Sequence, residues 1–200
     1  MTKELTEQLG LSGHCYWCME AIFNSLIGIV KVEQGWINAK EQLDQSVQVL
    51  DNHGQESLTP AYYEGILVTY QRQKIDLALL INIHIASHSA DKKHALRARY
   101  PSAIYTFNPQ QQAQAEIIIA QINQTRITNG DAKVLTQALS FNDFYLSAGQ
   151  QQNYYYQDPN RPFCHTRITP KLRKLVKNYG QQFLPNKLEI IKDSNNNNIS

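Results

Sequence analysis

Cysteine is scarce in this sequence. Three in 200 residues is an odd number, and too few for the cross-linked framework of a small secreted domain. Charge is sparse as well: 18% of residues are charged, and the formal net charge of +2 is too mild to imply a nucleic-acid surface. The basic cluster Lys171, Arg173, Lys174 and Lys177 reads as a solvated helix face. No apolar run approaches the ~20 residues of a membrane span, and residues 1–10 lack the apolar core of a signal peptide. The absences leave no nucleic-acid or membrane partner to expect. They point instead to a reducing compartment, the cytoplasm, in which thiols are kept for chemistry. A hydrophobic content of 42% over this length suits one globular domain, assigned to residues 1–192. Residues 193–200 form an Asn-rich, low-complexity tail expected to be disordered.

What is present is concentrated near the start, in Gly13-His14-Cys15-Tyr16-Trp17-Cys18-Met19-Glu20. A short strand pattern precedes it at residues 8–13, and a helical apolar pattern follows at Ala21, Ile22, Phe23 and Leu26. Cys15 therefore falls where a strand gives way to a helix N-terminus, whose unpaired N–H groups and dipole favour negative charge. A thiol there has a lowered pKa, and the thiolate is the nucleophile. Cys15 and Cys18 also fit two plainer descriptions, small core residues or half of a zinc site.

The remaining pattern is a succession of strands and helices. A first helix over residues 15–26 stops before Gly28. Residues 29–37 read as a strand with a bend or bulge at Gly35, residues 46–50 as a short edge strand, and residues 51–54 as a turn. Residues 64–71 form a strand with Ile66, Val68 and Tyr70 on one face. Asp76 caps a second helix, residues 87–97 are a polar loop, and residues 102–107 are a strand. Asn108 and Pro109 open a helix reaching residue 122, followed by a turn at 128–131. Residues 141–146 carry few cues. Residues 150–165 read as irregular, and Thr169-Pro170 starts a last helix over 169–177. This order predicts an α/β (α+β) fold, a ferredoxin-like plait: a mixed sheet with helices packed on one face and a long irregular C-terminal segment.

Residues 13–20 resemble the Gly-Cys-Phe-Trp-Cys/Gly-x-Glu motif of peptide methionine sulfoxide reductase A. The likeness continues in order through Gly28 to Trp36, through Glu64-Gly65-Ile66-Leu67-Val68-Thr69-Tyr70, and at His88. It then runs through Arg99-Tyr100-Pro101-Ser102-Ala103-Ile104-Tyr105 and the stretch from Tyr154 to Cys164. It departs at His14 and Tyr16, in the loop from Asn38 to Tyr63, and in the segment from Asp91 to Arg99. The resemblance implies thiol-dependent reduction of methionine-S-sulfoxide, free or protein-bound, by a monomer with no cofactor and no metal, recycled by a thioredoxin-like reductant.

Cys15 would attack the sulfoxide sulfur, with Tyr16 and Trp17 as an apolar wall for the S-methyl group. Glu64 would deliver the proton to the oxygen, for which burial must raise its pKa. Tyr100 would assist as a phenol donor. Of the two tyrosines before Glu64, Tyr63 is preferred over Tyr62 as a substrate contact. The sulfenic acid left on Cys15 condenses with a second thiol: Cys164 is expected to act first, with Cys18 as competitor or relay. His14 either tunes the thiolate as a cation or points away into the turn. His84 and His88 are expected to pack rather than bind metal. Two other readings compete. One is a zinc-held module using Cys15, Cys18, Cys164 and His165. The other is a thioredoxin-like dithiol oxidoreductase using Cys15 and Cys18 alone.

Overall fold

A computed structural model describes residues 5–40, 62–93, 95–97 and 99–194. The expected edge strand at 46–50, the turn at 51–54 and the tail from 195 lie outside the described residues. Five strands among the described residues carry the molecule: β1 (Thr6–Ser12), β2 (Ile29–Ala39), β3 (Tyr63–Gln71), β4 (Ala103–Thr106) and β5 (Gln137–Leu146). β3 is rich in β-branched and aromatic residues, as a central strand must be. It lies between β1 and β2, antiparallel to both, so that Val68 faces Leu9 on one side and Val32 on the other.

The mixed α/β character expected from the sequence holds. The sheet is not an open plait, however, but a closed ring in the order β1-β3-β2-β5-β4, with β4 returning to pair with β1. β5 makes the closure. Its first half runs parallel to β4 from Gln137 to Ser140, and its second half runs antiparallel to β2 from Phe141 to Leu146. A strand that changes partner midway shows no clean alternation of exposure, which is why residues 141–146 carry so weak a pattern. β2 does not bulge at Gly35. Its pairing shifts lie between Ile29 and Lys31 and between Asn38 and Ala39. Gly35 instead lets β5 come close, because a Cβ there would collide with the Tyr145 carbonyl.

The period of two divides the apolar residues between two cores. Leu9, Leu11, Ile66, Val68, Tyr70 and Ile104 face the helices, while Ile37, Ala39, Ala103, Tyr105 and Leu139 form a separate small cluster within the ring. The main core is completed by α1 (Tyr16–Phe23), α2 (Leu77–Ala86), α3 (Pro109–Thr128), α5 (Thr169–Tyr179) and α6 (Pro185–Asp193). Burying a large side chain such as Phe23, Leu80 or Leu172 in it is worth about 1.5–3 kcal/mol each. The caps follow the sequence: Asp76 accepts from Leu79 N–H and Asn108 from Gln111 N–H. α3 runs beyond residue 122 to Thr128. α5 is not the last helix, since Pro185 opens α6. The segment read as irregular contains a short α4 (Tyr154–Gln157), and a π-helical turn, Cys164–Ile168, leads into α5.

Candidate active site

The strand-to-helix junction builds the site from the backbone outward. β1 ends at Ser12, Gly13 turns the chain, and Cys15 is the N-cap residue of α1, its carbonyl accepting from the N–H groups of Cys18 and Met19 at 3.0 and 3.2 Å. The Cys15 thiol is drawn below its ordinary pKa. The largest cause is a hydrogen bond donated by the Cys18 thiol, joined by the backbone N–H groups of Trp17 and Cys18. Burial and the Glu64 charge oppose this without reversing it. The Cys18 thiol, which loses its proton last, is pushed well above its ordinary value by that bond, by burial and by the neighbouring Cys15 charge.

Glu64 is buried on the face of β3 that carries Ile66 and Val68, so strand alternation aims it at the start of α1. Its Oε2 accepts the Tyr16 N–H at 3.3 Å, satisfying one of the donors a helix N-terminus leaves open. Its Oε1 accepts the Tyr100 hydroxyl at 3.1 Å and an Arg99 guanidinium nitrogen at 3.3 Å. Cys15, Glu64 and Tyr100 thus come together at the start of α1.

Tyr63 does not join them. As the residue before Glu64 it takes the opposite face of β3, opposite Ile37 of the inner cluster and within electrostatic reach of the buried Tyr105. Tyr62 has the right parity, but it donates to Asp143 at 2.8 Å and packs on Tyr145 at 4.9 Å. The aromatic residue that does reach the site is Trp36. It pairs with Glu64 across β2 and β3, and its ring lies 6.1 Å from that of Tyr16. Tyr16 and Trp17 stack at 5.6 Å, and Tyr154 covers the far side of Trp17 at 4.2 Å, nearly parallel to it. The cross-strand register that selects Trp36 is the signal that could have found it.

The C-terminal segment is stitched onto this wall. Buried Glu20 accepts the N–H groups of Asn153 and Tyr154, and the hydroxyl of Tyr16 donates to Gln151 Oε1 at 3.0 Å. The Gln152 side chain accepts from the Gln34 N–H and donates to the Gln34 carbonyl, and the Gln34 side chain donates to the Gln151 carbonyl. This holds Tyr154 over Trp17 and leads the chain to Cys164. Cys164 is buried, its thiol pushed up to about 11 by burial, and it points to the Asp158 carbonyl at 3.6 Å. Cys18 interacts electrostatically with Cys15 and, more weakly, with Cys164. All three thiols are free. Among the described residues no three His, Cys, Asp or Glu side chains converge to hold a metal ion, so the zinc reading with His165 has no geometric basis.

Three histidines brace the turn from behind. His84 Nε2–H donates to the Ser12 carbonyl at 2.9 Å, and His88 Nδ1–H donates to the His84 carbonyl at 2.8 Å, leaving His88 Nε2 to accept from Ser102 at 2.8 Å. The Ser87 hydroxyl gives its hydrogen to the His84 carbonyl at 2.6 Å, so His14 Nε2, 3.0 Å from Ser87 Oγ, must donate its N–H to that hydroxyl oxygen. Gly13 is required here, because a Cβ would stand 2.8 Å from His88 Nε2. His14 is therefore not a cation beside the thiolate: burial, with Lys171 nearby, holds its pKa well below the ordinary range. Burial also lowers His88, and takes His84 to about 4.

An acid sensitivity follows. From pH about 6.5 down to about 4, the unfolded chain takes up protons that folded His84 refuses, so stability falls as pH falls. The expected slope is about 1.4 kcal/mol per pH unit for each such histidine. Denaturant midpoints at a series of pH values measure it, and His84→Gln, which keeps the donor to Ser12, should flatten the slope by about one proton.

Comparison with known proteins gives the family and the fold. A peptide methionine sulfoxide reductase MsrA of Ruthia magnifica is 29% identical over 167 residues, covering 82% of this chain and 94% of that protein. One from Chromobacterium violaceum is 28% identical over 178 residues, covering 87% and 97%. The fold is similar to the solved methionine sulfoxide reductase A of Corynebacterium diphtheriae, with a TM-score of 0.61 at 19% identity over 80% of this chain and 78% of that one. The family model for peptide methionine sulfoxide reductase matches residues 7–183, a span that holds every element building the site, and the chain belongs to that family.

Proposed function

We propose that this chain reduces the S epimer of methionine sulfoxide to methionine, with Cys15 as nucleophile and Glu64 as acid. The observation that carries the reading is the Cys15 thiol, drawn toward thiolate by Cys18 and two helix N–H groups, beside a buried carboxyl that Tyr100 bonds. The thiolate attacks the sulfoxide sulfur while Glu64 protonates the oxygen. The new sulfur–sulfur bond and the substrate S–O bond then break as the hydroxyl passes to the cysteine sulfur, leaving methionine and a Cys15 sulfenic acid. Tyr16, Trp17 and Trp36 hold the S-methyl group and keep water from the sulfur. A second thiol then displaces water from the sulfenic sulfur, and an external dithiol, a thioredoxin-like protein, reduces the disulfide. The protein works as a monomer in the cytoplasm, where its three thiols stay reduced between turnovers.

The hydrogen bond between Cys18 and Cys15 supports Cys18 as the first partner, and the weaker electrostatic interaction of Cys18 with Cys164 supports transfer to a second disulfide away from the active thiol. A Cys-x-x-Cys bridge at a helix start is chemically accessible. The reverse order, with Cys164 first, would require the buried Cys164 to leave the Asp158 carbonyl before Cys18 reacts.

The test is an assay of the separated S and R epimers with excess small dithiol. Turnover of S alone is expected; turnover of neither, or of R in preference, sinks the reading. In single turnovers without reductant, Cys18→Ser should accumulate a trappable sulfenic acid, whereas Cys164→Ser should still form the Cys15–Cys18 disulfide. Mass mapping of the first disulfide decides the order.

A further inference from the structure

Arg99 is left unexplained by the thiol, the acid and the phenol. One guanidinium nitrogen lies 3.3 Å from Glu64 Oε1, the oxygen that also accepts the Tyr100 hydroxyl. The Arg99 side chain is 67% exposed and that of Glu64 only 7%, so the guanidinium sits on the open side of a buried carboxyl. The Tyr100 ring lies 5.4 Å from the guanidinium carbon and limits where the group can swing. Cys15 and Tyr16 both lie within its electrostatic reach. The cation thus stands on the exposed side of Glu64, beside the start of α1.

A guanidinium carries five donors in a planar fork suited to a carboxylate. Among the described residues Glu64 engages one nitrogen only, which leaves the rest of the fork facing outward. A methionine sulfoxide whose oxygen meets Glu64 and Tyr100 has its own carboxyl carbon four bonds from the sulfur, about 5 Å away when extended. That is the neighbourhood of Arg99. In a free or C-terminal methionine sulfoxide the group there is a carboxylate; within a polypeptide it is a neutral amide.

We infer that Arg99 is a specificity-determining residue that binds the substrate α-carboxylate, so that the site favours free or C-terminal methionine sulfoxide over the internal residue of a polypeptide. The inference rests on the reductase reading above.

The test compares N-acetylmethionine-S-sulfoxide with its N-methylamide, which differ only in that charge, in the wild type, Arg99→Gln and Arg99→Lys. For the wild type kcat/KM should favour the acid by about tenfold, an energy of about 1.4 kcal/mol. The preference should reside mainly in KM and shrink as salt is raised. Arg99→Gln should bring the ratio to about 1, and Arg99→Lys, which keeps the charge without the fork, should fall between. Turnover of both substrates with no preference, or an Arg99→Gln preference as large as the wild type's, overturns the inference and leaves the reductase reading intact. Turnover of neither substrate by the wild type overturns both.

Discussion

Replacing Cys15 with serine is expected to lower turnover of methionine-S-sulfoxide by at least about 10⁴-fold, the scale on which a removed nucleophile is felt. Serine offers an oxygen with a far higher pKa and no comparable affinity for an electrophilic sulfur. The loss is chemical and not structural. Cys15 is the N-cap of α1 with no side-chain capping bond, and serine is among the preferred N-cap residues. The variant should therefore melt at or slightly above the wild-type temperature while losing both turnover and rapid alkylation at pH 7. Retention of activity would move the nucleophile to Cys18 or Cys164 and overturn the site.

Glu64→Gln is expected to cost about 10²–10⁴-fold in kcat/KM, the usual contribution of a positioned general acid. The amide oxygen can still accept the Tyr16 N–H or the Tyr100 hydroxyl, so the helix start stays in place. What is lost is a transferable proton, and with it the ion pair to Arg99. The thiol reports this separately from turnover. The Glu64 charge pushes the Cys15 pKa upward, so its removal should lower that pKa further. Alkylation of Cys15 at mildly acid pH should then be faster in Glu64→Gln than in the wild type, even as sulfoxide reduction collapses. A variant slowed equally in both reactions would show that Glu64 serves the thiol and not the sulfoxide oxygen.

Of these two residues only Cys15 was legible from a local pattern, the junction of a strand and a helix. Glu64 entered through the family resemblance, since its place at the start of a strand reads locally as a surface glutamate, and its burial emerges only in the fold. Other parts of the site were legible in neither way. Trp36 enters through its register with Glu64, a pairing between residues of different strands. Tyr63, adjacent to the acid in sequence, is carried to the other side of the sheet by the same alternation that aims Glu64 correctly. Glu20, Gln34 and Gln152 look like ordinary polar residues until the C-terminal segment is laid over α1. The two options left open for His14 could only be separated once α2 brought Ser87 and His88 against it.

The sequence by itself determined where the helices begin at Tyr16, Leu77 and Pro109, which face of β3 is buried, and that a reactive thiol sits at a helix start. These depend on interactions spanning a few residues: caps, a period of two, unpaired N–H groups. Only the tertiary structure decided that the sheet closes through β5, that Trp36 and not Tyr63 faces the acid, that Arg99 guards its open side, and that Cys18 feels the charge of both other thiols. Each of these brings together residues distant in the chain. Their meeting is governed by strand register and by the closing of long loops around a shared core, which no local pattern encodes.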